Sequence, residues 1–162
     1  MMALGLTLYP VISNYVNQKY ASEIFTAYQE VIAQTDNTVL LQERGKAIAY
    51  NQTLIPRTGS DGSYTQEALQ SASGEYNSML NLAGDGIMGY IEIPKINVHL
   101  PIYHGTGDSS LSKGVGHLLG SSLPVGGEST HSILSGHSGM ASQTMFTDLE
   151  QLGIGDVFYL YV

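Results

Sequence analysis

The chain has 162 residues with a formal charge of −8 and only six lysines and arginines. That leaves no basic patch to hold phosphates, which argues against nucleic-acid binding and against attraction to anionic lipid headgroups. There is no cysteine, so disulfides and thiolate metal sites are excluded, and any cysteine-dependent chemistry needs a thiol from elsewhere.

The first stretch, Ala3-Leu-Gly-Leu-Thr-Leu-Tyr-Pro-Val-Ile12, is apolar. It is shorter than the roughly 20 residues that span a bilayer. It also lacks the basic flank and cleavage pattern of a signal peptide. It reads either as the outer end of a membrane helix or as an apolar helix packed on the protein; Tyr9 before Pro10 favours the membrane end, assigned to residues 1–12. From Pro10 to Ala33 apolar residues recur every three or four positions: Ile12, Tyr15, Val16, Tyr20, Ile24, Phe25, Tyr28, Val31 and Ile32. That predicts a helix with one apolar stripe, Pro10 sitting in its first turn. Thr35-Asp36-Asn37 offers an N-cap to a second helix over Asn37–Asn51, and the two predict an antiparallel hairpin extension over 13–53.

Residues 54–74 collect Pro56, Gly59, Ser60, Asp61, Gly62 and Ser63 and predict a loop, with a short helix over Thr65–Ser71. Another short helix is expected over Glu75–Leu82. After Gly86 the apolar period changes from helical to alternate. Strands are predicted at Met88–Ile93, Val98–Tyr103, Gly114–Leu119, Ser132–Ser135 and Asp156–Val162, with short helices at Asp108–Lys113 and Thr147–Leu152. Pro101 suggests that the second strand is an edge or is bent. Short, evenly spaced strands with glycine turns indicate a barrel or sandwich. The last strand carries no closing turn, which suggests an N-terminal portion of a longer protein.

The segment His131-Ser-Ile-Leu-Ser-Gly-His-Ser-Gly139 runs an apolar strand into a glycine-flanked histidine, His137. On local pattern alone His137 either caps a strand or serves as a reactive imidazole on a loop fixed by a rigid scaffold. The wider context carries a resemblance. Gly89-Tyr-Ile-Glu-Ile-Pro-Lys-Ile-Asn97 with Leu100-Pro-Ile-Tyr-His-Gly-Thr106 resembles the opening strands of the sortases. Gly116-His-Leu-Leu-Gly-Ser-Ser-Leu-Pro-Val-Gly-Gly127 and His131–Gly139 resemble their catalytic-histidine region. Met145–Leu149 and Gly155–Tyr159 look like the helix and strand that follow. The upstream helices, with Ala49-Tyr-Asn51, are similar to the extension of class C, the pilin-polymerising sortases.

The resemblance implies a mainly β fold with N-terminal helices: about five strands of an eight-stranded barrel over residues 75–162, behind the helical hairpin and a lid-like loop at 54–74. It implies an envelope protein on the outer face of a Gram-positive cell membrane, held by a membrane anchor and working without a cofactor. The expected chemistry is cysteine transpeptidation. A thiolate attacks the Thr–Gly bond of an LPxTG-like sorting signal on a pilin subunit, and a pilin lysine or a cell-wall amine resolves the thioacyl intermediate. The thiolate is the reactive form, and an imidazolium both lowers a thiol pKa and donates a proton near neutral pH. His137 matches the catalytic histidine. The cysteine and arginine of the family are expected beyond Val162, so this chain alone is expected to be inactive. Asp61 and Tyr64 stand where class C lids carry an Asp-Pro-aromatic motif, although the proline is absent and the spacing is one longer; an ordinary polar loop is the competing reading.

His131 reads as a structural hydrogen-bonding residue near the site, and His99, His104 and His117 as half-buried or surface residues. No histidine pair has the spacing of a metal site. Two other function classes stay open. Ser121, Ser122, Ser135 and Ser138 with His137 and Asp148 could suggest a serine hydrolase, but no Gly-x-Ser-x-Gly elbow exists. A non-catalytic module binding peptides along an open barrel edge is the other.

Overall fold

The computed structural model describes residues 2–54, 73–139 and 144–162. Two long helices come first, α1 (Met2–Gln34) and α2 (Asn37–Leu54). Asp36 caps α2: its Oδ1 accepts the Thr38 N–H at 2.7 Å, satisfying one of the donors that a helix start leaves free. Pro10 does not open α1, because the helix begins eight residues earlier, at Met2. Its missing N–H removes one helical hydrogen bond and the helix continues. Among the described residues no helix is long and apolar enough to cross a membrane. The lid-like loop and the Thr65–Ser71 segment lie outside the described residues, apart from the ends of the loop. Residues 73–78 are helical and lead into the sheet.

The sheet holds β1 (Ile87–Ile93), β2 (Val98–His104), β3 (Val115–His117), β4 (Leu134–Ser135) and β5 (Tyr159–Tyr161) in the order β4-β3-β2-β1-β5. Pairing is antiparallel except between β2 and β3, which run parallel across a single helical turn at Asp108–Leu111. Among the described residues five strands are present as expected, and their sheet is open rather than closed into a barrel.

The second strand is not an edge. β2 lies between β1 and β3 and keeps Pro101 paired with Tyr90. The Pro101 carbonyl points at Gly114, where an added Cβ would lie 2.5 Å from that oxygen and 2.9 Å from the proline Cγ. A strand residue presents its N and O on the same side. The absent N–H therefore faces the β3 side at a level where β3 pairing, which starts at Ile102↔Val115, has not begun. No ladder bond to β1 is lost, and Gly114 supplies the room the ring needs.

Alternation along β1 and β2 sends side chains to two apolar layers. Met88, Ile91, Ile93, Val98 and Ile102 join Ala47, Tyr50 and Leu54 of α2 with Tyr76, Val115 and Leu123. Ile87, Tyr90 and Tyr103 meet Ile24, Phe25 and Tyr28 of α1 on the other side. The buried side chains of the two helices thus go to opposite faces of the sheet. Each fully buried apolar side chain contributes about 1.5–3 kcal/mol, so the two-sided cover explains why β1 is buried almost throughout.

Candidate active site

The site is built on β3, the turn that follows it, and β4. Short ladders hold β4 to β3 through Gly116↔Ser135 and His117↔Leu134. Beyond the ladder the two segments are zipped by the Gly120-Ser-Ser122 turn. Leu118 N–H donates to the Ile133 carbonyl at 3.0 Å, and Ser122 N–H to the His131 carbonyl at 2.9 Å. The serine hydroxyls complete the seam: Ser121 Oγ accepts from Ile133 N–H and Ser122 Oγ from His131 N–H, both at 3.1 Å. These bonds replace a strand ladder where the chain is too irregular to form one, and they aim the stretch that ends at His137.

The seam rests on a histidine whose expected place was half-buried or at the surface. His117 is fully buried. Its Nε2 lies 2.8 Å from the Ser122 carbonyl and its Nδ1 2.9 Å from the Tyr76 hydroxyl, with the Tyr76 ring stacked at a centroid distance of 5.6 Å. A carbonyl can only accept, so Nε2 carries the proton; the single Tyr76 hydroxyl proton lies between Nδ1 and the His117 carbonyl, 2.9 Å from each, and the hydroxyl oxygen accepts Gly105 N–H at 3.0 Å. Burial lowers the His117 pKa, against the opposing pull of the Ser122 carbonyl. Burial likewise raises that of Tyr76. The available signal was its alternation with Val115, which put His117 on the core face.

A second buried polar group ties α2 to the same turn. Asn51 Oδ1 accepts Leu123 N–H at 2.7 Å and Asn51 Nδ2 donates to the Leu123 carbonyl at 3.0 Å. This reciprocal pair joins residues 72 positions apart.

His137 follows β4 directly and is exposed. Its backbone is held from one side: the His137 carbonyl accepts Phe146 N–H at 3.1 Å, and Gly139 N–H donates to Thr147 Oγ1 at 3.0 Å. Gly136 makes that approach possible. A Cβ there would lie 2.7 Å from Phe146 Cδ2 and 3.0 Å from Cε2, so the ring packs against the backbone just before His137. The result is an accessible imidazole on a tethered backbone, the arrangement a general acid or base needs.

His131 shares the segment but not the position. Its backbone is the part engaged, through the Ser122 bonds, and its ring is exposed. Asp61 and Tyr64 lie outside the described residues. Of the serine-hydrolase grouping, Ser121 donates to the Leu118 carbonyl at 2.8 Å and Asp148 Oδ1 accepts from Gln151 Nε2 at 2.9 Å, so neither bond is directed to His137. Among the described residues no three His, Asp or Glu side chains could together hold a metal ion.

The chain matches the sortase-domain family model over residues 91–162. It is 44% identical over 68 residues to sortase D of Bacillus subtilis (strain 168), a match covering 42% of this chain and 31% of that protein. Sortase C1 from Streptococcus agalactiae shares the fold at a TM-score of 0.76 and 39% identity, covering 86% of this chain and 70% of that one. Sortase C from Streptococcus pneumoniae matches at a TM-score of 0.70 and 34% identity over 86% and 68% of the two chains. Sortase C-1 from Actinomyces oris gives 0.65 and 42% over 76% and 67%. The match thus spans under a third of the curated relative's length and about two thirds of the solved class C chains.

Proposed function

This chain belongs to the sortase family, and on that premise we propose that it carries the histidine part of a class C transpeptidase that joins pilin subunits through an LPxTG-like sorting signal. The observation that carries the reading is His137, exposed on a loop that Phe146 and Thr147 pin by the backbone, within the stretch that matches the family.

In the proposed reaction a thiolate attacks the threonine carbonyl of the Thr–Gly bond. The C–N bond breaks as His137 gives its proton to the departing amine, leaving a thioacyl enzyme. A pilin lysine amine then attacks the thioester, its proton passes to His137 and the thiolate leaves. Such an imidazole works best with a pKa near the working pH.

The chain has no cysteine, so the thiol must come from outside residues 1–162. Arg44 lies in α2 and lines a crevice with segment 126–130, and is not proposed as the oxyanion partner. The loop bearing Asp61 and Tyr64 is proposed as the lid, and the apolar start of α1 as the outer end of a membrane anchor facing the cell exterior.

Incubation of this chain with a Leu-Pro-x-Thr-Gly peptide and a lysine nucleophile tests the thiol requirement. The expected result is no ligated product. Product above background from the cysteine-free chain would overturn the proposal, and labelling of a serine by a fluorophosphonate probe would move the assignment to a hydrolase.

A further inference from the structure

The loop that pins His137 is itself held from a distance. Thr144 stands two residues before Phe146. Its N–H and its Oγ1 both donate to one atom, Asn14 Oδ1 in α1, at 3.2 and 3.0 Å. These bonds cross 130 positions of sequence.

On the loop side Met145 is 3% exposed and Phe146 joins the core, so packing contributes there; on the helix side it contributes little. Around Asn14 the first half of α1 leaves Val11 66% and Tyr15 69% exposed, with Ile12 and Val16 also exposed. From Ala21 onward the helix packs, through Ile24, Phe25 and Tyr28. A crevice of about 270 Å³, walled by Asn14, His99, Thr144 and Met145 among others, opens beside the hook. At the hook itself helix and loop are therefore joined by hydrogen bonds beside an open crevice.

We infer that Asn14 is a positioning residue for His137: with α1 docked, Asn14 fixes Thr144, and Thr144 fixes the Phe146 and Thr147 anchors that hold the histidine backbone. Release of Asn14 lets that loop move while the sheet stays intact. The inference rests on His137 being the proton carrier proposed above. It makes the docking of α1, the helix that starts at the proposed anchor, a determinant of the histidine's pose.

Amide hydrogen exchange and the His137 ring cross-peaks, followed by NMR, test it on the whole chain without substrate. A failed transpeptidase reading therefore leaves the result interpretable, and a negative result here leaves that reading standing. In Asn14→Ala the Phe146 and Gly139 amides should exchange about tenfold faster, as expected for a local opening that has lost two hydrogen bonds. The His137 cross-peaks should move, and the β1 amides at the sheet centre should be unchanged. Asn14→Asp keeps the accepting oxygen and should restore both the protection and the His137 signature. Thr144→Val removes one of the two bonds and should fall between. Unchanged loop exchange in Asn14→Ala, equal acceleration in β1 and the loop, or an Asn14→Asp that behaves like the alanine variant would each overturn the inference.

Discussion

Replacing Asn51 with alanine should cost more than almost any other single change to a polar side chain here. Asn51 is 6% exposed and its partner Leu123 is 1% exposed, so water cannot take over what the amide provides. The substitution deletes the 2.7 Å bond from Leu123 N–H and the 3.0 Å bond to its carbonyl, leaving a backbone donor and acceptor buried. Each orphaned group costs about 1–3 kcal/mol, so the loss should be about 2–4 kcal/mol after some relaxation. That is a large fraction of the roughly 5–15 kcal/mol by which domains are stable. Urea unfolding followed by circular dichroism should show a lower midpoint with an unchanged slope. Asn51→Asp separates the two bonds. It keeps the acceptor for Leu123 N–H but sets a carboxylate oxygen against the Leu123 carbonyl, so at neutral pH it should be at least as damaging as alanine. Acidification restores a donor and should recover part of the loss. A cost below about 0.5 kcal/mol for Asn51→Ala, the range of ordinary surface changes, would refute the clamp.

Two further outcomes follow from the same framework. Gly136→Ala brings a Cβ within 2.7 Å of the Phe146 ring and should destabilise by about 1–3 kcal/mol as that ring is displaced, read as a lower melting temperature together with faster exchange at the Phe146 amide. His117 has a folded pKa below its ordinary 6.5, because burial disfavours the charged ring. The unfolded chain therefore binds this proton first: the stability is complete above 6.5 and is lost as pH falls from there towards the folded value, at up to about 1.4 kcal/mol per pH unit. Denaturation midpoints measured from pH 7.5 downwards should show that fall, and His117→Gln should remove this proton's share of it. A slope the same in both proteins would rule out His117 as its source.

Much of the fold was legible because its signals are local. Alternating residues in Met88–Ile93 and Val98–Tyr103, punctuated by Pro94 and Gly86, marked β1 and β2 within one residue at each end. The three- and four-residue stripe marked α1, and Asp36 announced α2 by capping it. The weaker strands were overextended. Gly114–Leu119 and Asp156–Val162 shrink to Val115–His117 and Tyr159–Tyr161, because pairing depends on where a partner strand starts and stops. Pro101 misled for the same reason. Its missing donor matters only on the side where a neighbour is paired, and that side is set by β3. Thr147–Leu152 likewise tightens to a single 3-10 turn at Leu149–Gln151.

For the site, the Gly-His-Ser-Gly stretch after an apolar strand singled out His137, and neighbouring segments that resemble one family in order and spacing are the ground for the chemical role proposed for it. The residues around it were less legible. The full burial of His117, expected as half-buried or surface, was not legible, since one polar residue in a three-residue strand says little about burial until Tyr76 and the Ser121-Ser122 turn close over it. The Asn14–Thr144 hook left no mark in either local pattern.

The sequence by itself therefore determined the periods, the turns, the absence of a thiol and the segment that presents His137. These are properties of neighbouring residues and of composition. The tertiary structure decided that α1 and α2 bury their side chains on opposite faces of one open sheet, that a buried histidine and Asn51 support the turn beneath the site, and that α1 reaches the histidine's loop. Those contacts join residues 41, 72 and 130 positions apart. Such pairs are selected by the geometry of the packed sheet, which no short window of sequence contains.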